Sequence, residues 1–350
     1  MKIAAVASAM PEHYYDQPTL KRYLREVVWR DAPALLRRLD SLHDHVQVDG
    51  RHLAYPLERY AEFSTFGDFN DAWIAAATDL AQRALETALE RADLAPGDVD
   101  AVIFTTVTGL ASPSIDAKLM NRLPLRRDVK RMPLFGLGCV AGASAVSRAA
   151  DFVRGDPRAV VAVISVELCS LTVQRGDHGI ANVIATGLFG DGACCALVVG
   201  EQREARGPEI VATRSVFYPD TEEVMGWRIS EKGFSLVLSS AVPTVARERL
   251  GPDVDAFLAS LQLTRRDIGS WVCHPGGPKV LEGARDSLGL TDDDLALSWE
   301  SLRKVGNLSS ASVLLILEQT LLRRRPLPGK LGVMLAMGPG FCSELLLLRW

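Results

Sequence analysis

Three side chains stand out by type and setting: Cys139, His274 and Asn307. Cys139 lies in Gly136-Leu137-Gly138-Cys139-Val140-Ala141-Gly142-Ala143, between an apolar run (Met132 to Leu137) and a helix-patterned run (Val140 to Val153). A sulfur at a strand-to-helix turn sits near helix N–H groups that favour an anion, which lowers the thiol pKa. Gly138, Ala141 and Gly142 are small enough for another molecule to reach it. The alternative is a core cysteine acting as a small apolar residue. His274 opens His274-Pro275-Gly276-Gly277-Pro278 at the end of a strand-like run, so it faces a loop rather than a helix surface. Asn307, in Gly306-Asn307-Leu308-Ser309-Ser310, starts a helix-patterned run that extends to Leu322. It can cap that helix and still point into a pocket. A cysteine with a histidine in reach is the equipment of nucleophilic catalysis. The rival histidine, His178 in Arg175-Gly176-Asp177-His178-Gly179, sits in a polar loop and reads as a surface residue.

An internal repeat is what would bring the three together. The line from Leu94 to Thr105 overlays Leu263 to His274 at an offset of 169. The line from Gly138 to Ser144 overlays Gly306 to Ser312 at an offset of 168, which matches Cys139 with Asn307. The chain therefore reads as a duplicated unit, 1–200 and 201–350, whose equivalent turns face each other. Within the first unit, a helix pattern (Ala72 to Ala92) and strand patterns (Val99 to Thr106, Ala159 to Val166, Ala193 to Val199) alternate, giving an α/β layered fold. Gly187-Leu188-Phe189-Gly190-Asp191-Gly192 matches no phosphate-binding loop and precedes a strand, so it reads as a structural turn with Asp191 as its cap.

Composition narrows the class. The 350 residues are 48% hydrophobic and 23% charged, with a net charge of -4, which suits neither nucleic acid nor an anionic membrane as partner. The six cysteines show neither a disulfide-framework spacing nor paired CxxC motifs, so structural zinc is not expected, and no metal site is. No apolar run is long enough to span a bilayer, and Met1 to Ala7 reads as a first strand rather than a signal peptide. A reducing cytoplasm is the expected compartment. Residues 17–60 are charged and helix-like, with His43, His45, His52, Arg37, Arg38 and Arg51; they read as a solvated helical face or as a rim that grips phosphate.

Taken together, Gly138-Cys139-Val140-Ala141-Gly142, Leu188-Phe189-Gly190-Asp191-Gly192, Met225-Gly226-Trp227, Gly233-Phe234, His274-Pro275-Gly276-Gly277-Pro278, Gly306-Asn307-Leu308-Ser309-Ser310 and Gly338-Pro339-Gly340-Phe341 resemble, in order and over nearly the full length, the type III polyketide synthases. These are the chalcone synthase-like enzymes of the thiolase fold, and the Met225-Gly226-Trp227 form is similar to bacterial members. The resemblance implies a homodimer of five-layered αβαβα subunits, each built from two duplicated halves. It implies Cys139 as the acyl-carrying nucleophile with His274 and Asn307 beside it. It implies Phe189 as a gatekeeper between a CoA tunnel and a cavity, with Thr172, Leu236, Trp227, Ser112 and Ser309 among the substrate-binding positions. Leu236 stands where the family usually has an aromatic residue, and Trp227 where plant enzymes often have glycine. At Ser112 the plant enzymes carry a methionine that reaches into the partner's cavity. Arg37, Arg38 and Arg51 are the candidates for the CoA phosphates.

The expected chemistry follows from the residue types. A Cys139 thiolate, stabilised by a His274 imidazolium, takes an acyl group from an acyl-CoA starter. Malonyl-CoA loses carbon dioxide, and the enolate formed needs hydrogen-bond donors on its thioester oxygen; His274 and the Asn307 amide supply them, where an aspartate would repel the charge. The enolate attacks the acyl-cysteine, and repetition builds a polyketide that cyclises. No cofactor is expected beyond the CoA thioesters, which are substrates. The smaller Leu236 and Ser112 suggest room for an aliphatic starter, hence an alkylpyrone or alkylresorcinol product. The rival readings are a ketoacyl synthase III-like enzyme of single condensation and a non-catalytic thiolase-fold partner subunit.

Overall fold

The computed structural model describes residues 1–350. The strands are β1 (Lys2–Ala9), β2 (His13–Asp16), β3 (Gly50–Leu53), β4 (Ala101–Thr106), β5 (Lys130–Phe135), β6 (Val160–Leu168), β7 (Asp191–Val199), β8 (Glu209–Phe217), β9 (Met225–Ser230), β10 (Gly233–Leu238), β11 (Ile268–Cys273), β12 (Leu331–Gly338) and β13 (Cys342–Arg349). The α-helices are α1 (Gln17–Tyr23), α2 (Pro33–His45), α3 (Leu57–Tyr60), α4 (Phe66–Ala92), α5 (Ile115–Arg122), α6 (Ala141–Gly155), α7 (Ile180–Leu188), α8 (Val242–Ala259), α9 (Pro278–Leu288), α10 (Ala296–Val305) and α11 (Ser310–Arg323).

Nine strands form one mixed sheet in the order β11-β12-β13-β8-β1-β7-β6-β4-β5, and β9–β10 and β2–β3 form two small hairpins. The central strands are apolar without alternation because both faces are covered. Along β7, Cys195 and Leu197 face one core and Cys194, Ala196 and Val198 face another, so the adjacent cysteines are packing residues on opposite sides. Three cores follow from this. One packs α4 on the first half of the sheet. The second holds α6 and α11 between the two halves. The third packs α8 and α9 on the second half. Helix, sheet, helix, sheet and helix make five layers, as expected.

The repeat is visible in detail. Short turns at Pro96–Asp98 and Arg265–Asp267 lead into β4 and β11. In each, the aspartate accepts the N–H that opens the turn: Ala95 N to Asp98 at 2.9 Å and Thr264 N to Asp267 at 2.7 Å. The halves differ at the edge, where β5 has no counterpart in the second half.

The middle layer carries the tightest contact. A Cβ on Gly142 would lie 2.1 Å from the carbonyl oxygen of Ser310. Gly142 and Ser310 are themselves equivalent in the repeat, so α6 and α11 cross where the halves meet. The N-terminal ends of both helices are thereby held side by side, with Cys139 and Asn307 just before them.

Gly142→Ala should push α6 from α11 and lower stability by about 1–3 kcal/mol, the usual cost of overpacking a core. Chemical denaturation checks this, and an unchanged midpoint would show that the crossing is not tight.

Candidate active site

Cys139 sits in a short 3₁₀ turn, Gly138–Val140, between β5 and α6. Gly138 is at φ +56°, and a Cβ there would lie 2.5 Å from Pro339 Cδ, so glycine is required for both conformation and space. His274 follows the last residue of β11, and its N–H donates to the Leu335 carbonyl at 3.0 Å, which continues the β11–β12 ladder. Asn307 lies between α10 and α11. Its N–H donates to Leu188 O at 2.9 Å and its carbonyl accepts from Gly190 N at 3.0 Å, so it forms an isolated bridge with Phe189. Phe189 and Asn307 are thus clamped together by backbone.

The three residues are 6%, 7% and 1% exposed, so any substrate reaches them through the interior. The Cys139 thiol donates to Ser309 Oγ at 3.6 Å, and the Asn307 side chain also hydrogen-bonds the sulfur. Asn307 Oδ1 accepts the Ser309 N–H at 2.7 Å. That fixes the amide orientation and makes Nδ2 its free donor end, with one N–H going to Gly276 O at 3.2 Å in the His274 loop. Asn307 is therefore two residues ahead of the α11 N-cap, Ser309, and orders the turn rather than capping the helix. Ser309 has φ +48° and ψ −124°, a strained backbone for an L-residue, and this aims its hydroxyl at the sulfur. Neither ring nitrogen of buried His274 has a protein partner.

The electrostatics differ from the expectation of a standing ion pair. Burial pushes the Cys139 thiol up to about 12, against the weaker pull of the Ser309 hydroxyl and Asn307 amide. The helix N-terminus expected to lower it does not prevail. Burial holds His274 at about 3. A charge on either group alone is poorly solvated, so thiol and imidazole both rest neutral.

Of the cavity positions, Phe189, Thr172, Trp227 and Leu236 line one pocket of about 840 Å³, counting the part open to solvent. Trp227 and Leu236 are cross-strand partners in the β9–β10 hairpin, and the Trp227 ring meets Phe234 edge-on at 5.8 Å. Trp227 and Leu236 thus both face the same cavity. Ser112 is exposed and does not line this chain's pocket. Arg37 and Arg38 are exposed on α2. Arg51 corrects the expectation of a surface rim: it lies on β3, is 3% exposed and lines the pocket. Alternation along β3 turns it inward, which a helical reading of 17–60 missed. His43 is likewise buried, at 1% exposure, and bonds the Val183 carbonyl at 3.0 Å. Asp191 is not a cap of its own turn; it starts β7 and accepts from Ser170 N at 2.8 Å and Ala54 N at 2.7 Å. His178 is exposed, as read.

Glu167 was not foreseen. It ends the apolar strand β6, is fully buried, and accepts from Val107 N at 3.1 Å, Thr108 Oγ1 at 3.0 Å and the Ser310 hydroxyl. Burial raises its carboxyl to about 7, and its charge adds to the upward push on Cys139. A lone carboxylate in the run Val160 to Leu168 was the signal available in the sequence.

A buried cysteine beside asparagine and serine, with an unpartnered histidine on the adjoining loop, defines a thiol-based condensing enzyme on a duplicated α/β fold. The comparisons agree. Family models for the N-terminal and C-terminal domains of chalcone and stilbene synthases match residues 1–202 and 209–350. A 1,3,6,8-tetrahydroxynaphthalene synthase of Streptomyces peucetius subsp. caesius is 48% identical, covering 99% of this chain and 93% of the relative. A phloroglucinol synthase of Pseudomonas fluorescens is 31% identical, over 97% and 96% of the two chains. The crystal structure of 1,3,6,8-tetrahydroxynaphthalene synthase from Streptomyces coelicolor A3(2), a bacterial type III polyketide synthase, superposes with a TM-score of 0.92 at 28% identity, covering 100% of this chain and 99% of that one. The chain belongs to the chalcone and stilbene synthase family and is a type III polyketide synthase, an enzyme of decarboxylative condensation. The single-condensation and non-catalytic readings are not favoured.

If His274 accepts the Cys139 proton, His274→Ala leaves the thiol at the value burial sets. Alkylation of Cys139 by iodoacetamide at pH 7 should then slow by about tenfold or more, one pKa unit being a factor of ten, and its pH midpoint should rise. An unchanged pH profile would remove His274 from that role.

Proposed function

We propose that the enzyme builds a hydroxylated aromatic from malonyl-CoA, with Cys139 carrying the chain and His274 and Asn307 serving as donors to the enolate. The observation that supports this best is the Asn307 amide. Its oxygen is occupied by the Ser309 N–H, so what it offers the site beside Cys139 is N–H. In loading, the Cys139 proton passes to His274, the sulfur attacks the acyl-CoA carbonyl, and the CoA thiolate leaves. In extension, malonyl-CoA releases carbon dioxide and the electron pair moves onto the thioester oxygen. Donors placed there lower that barrier by about 3 kcal/mol each. The carbon end of the enolate then attacks the acyl-cysteine and displaces the Cys139 thiolate. The CoA thioesters are the substrates, and the chemistry calls on no other cofactor.

The product reading follows the cavity and the relatives. The relatives named tetrahydroxynaphthalene synthase make a bicycle of ten carbons, which is five two-carbon units with no side chain. A starter-derived alkyl tail has no place in it. Two flat rings in the cavity wall, Trp227 edge-on to Phe234, support a short, flat product over the alkylpyrone or alkylresorcinol that residue sizes alone suggested. In a bicycle without side chains the first chain carbon is itself a ring carbon and must act as a nucleophile. A carboxyl on that carbon, lost on closure, makes it one, so malonyl is also the starter of this reading.

We read the enzyme as a cytoplasmic homodimer. No helix is long and apolar enough to cross a membrane. Leu110 and Phe135, 37% and 47% exposed, line one cleft with neighbours of Ser112. That is the kind of face a second copy covers, and it would point Ser112 at the partner.

Incubation with malonyl-CoA alone, and with malonyl-CoA plus a ladder of acyl-CoA lengths, tests the product by mass spectrometry. Malonyl-CoA alone should yield the ten-carbon aromatic; product only with long acyl-CoA starters would establish the alkyl reading instead. Asn307→Asp should slow carbon dioxide release from malonyl-CoA by about 100-fold and acyl loading far less. Equal losses would contradict the donor role.

A further inference from the structure

The pocket holds a charged group that the condensation chemistry does not use. Arg51 is 3% exposed and lines the cavity with Leu53, Phe189 and Trp227. Its Nη2 donates to the Thr186 carbonyl at 2.5 Å, while Nε and Nη1 have no partner in the protein. A buried guanidinium with unpaired N–H groups is costly, and such a group is tolerated where an acceptor arrives. The nearby carboxylate does not fill this need: Asp191 Oδ1 takes Ser170 N at 2.8 Å, and Oδ2 takes Ala54 N at 2.7 Å and Ser170 Oγ at 2.5 Å. The other arginine of the pocket, Arg175, is engaged, donating to the Tyr60 carbonyl and lying over Phe69 at 5.8 Å.

The place is built to hold this side chain. A Cβ on Gly190 would lie 3.5 Å from Arg51 Cβ, and one on Gly306 would lie 3.3 Å from Arg51 Cδ. Gly306 directly precedes Asn307, so the guanidinium stem passes beside the turn that presents the asparagine amide. We propose that Arg51 receives the free carboxylate of a malonyl starter, using its unpaired Nε and Nη1 N–H groups. This rests on the functional reading above and deepens it by naming the group that selects the starter.

The choice of carboxylate follows from its fate. A guanidinium pairs with a planar carboxylate in a charge-assisted, two-point contact. Such a contact stabilises the ionised carboxylate and so opposes its loss as carbon dioxide. The carboxylate that Arg51 holds is therefore the one retained through extension, on the starter, and not the one each extender gives up at once. A neutral acyl starter would leave Arg51 unpaired in an apolar wall, so the same residue disfavours fatty acyl-CoA.

The test compares kcat/KM with malonyl-CoA alone and with hexanoyl-CoA plus malonyl-CoA in wild type, Arg51→Gln and Arg51→Lys. The ratio of malonyl-primed to hexanoyl-primed kcat/KM should fall at least about tenfold in Arg51→Gln, the range of one lost charged hydrogen bond, and less in Arg51→Lys, which keeps the charge. If Arg51→Gln does not fold, judged by its melting curve, the drop in Arg51→Lys decides. Wild type active on malonyl-CoA alone, with both variants falling in parallel on the two starters, would overturn the Arg51 assignment only. Wild type inactive on malonyl-CoA alone would overturn the functional reading and this assignment with it.

Discussion

The close crossing of α6 and α11 is the constraint on which the rest depends. With a glycine on one helix and the Ser310 carbonyl against it, the two helix starts cannot separate without losing the middle layer. Each helix start carries one group of the proposed site, sulfur from the first half and amide from the second. The Ser310 hydroxyl also bonds Ser165 Oγ at 2.7 Å and reaches Glu167, so the crossing is tied to the end of β6 as well. Packing and chemistry thus share the same few atoms.

Burial governs the chemistry of those atoms. It protects the reacting groups from water and strengthens every hydrogen bond near them, but it also opposes each charge taken singly. The thiol and the imidazole consequently rest neutral, with no standing thiolate. The Asn307 and Ser309 hydrogen bonds to sulfur are the polar groups that offset part of this cost. The strained turn at Ser309 is what aims its hydroxyl there.

The cavity walls come from elements with little else in common: the β9–β10 hairpin, the β2–β3 hairpin, α7 and the stretch after β6. Trp227 stands across the hairpin from Leu236, and the Arg51 stem passes close to Gly306. The shape of the cavity is therefore set by residues from several elements together and not by single positions.

Much of the fold and of the candidate site was legible in the chain itself. The long apolar runs marked strands covered on both faces, and the repeat at offsets of 168 and 169 matched Cys139 with Asn307 and set His274 at the end of an equivalent strand. Those signals are local or periodic, and periodicity survives in one dimension. What only the tertiary structure decided depends on what surrounds each group from distant parts of the chain. Arg51 looked like one more basic residue on a solvated face, yet the β2–β3 pairing turns it inward. Glu167 became a partner of Ser310, 143 residues away. That Trp227 stands opposite Leu236 on the cavity wall was settled by the hairpin register, because a wall is made of neighbours in space, and a sequence orders neighbours only along the chain.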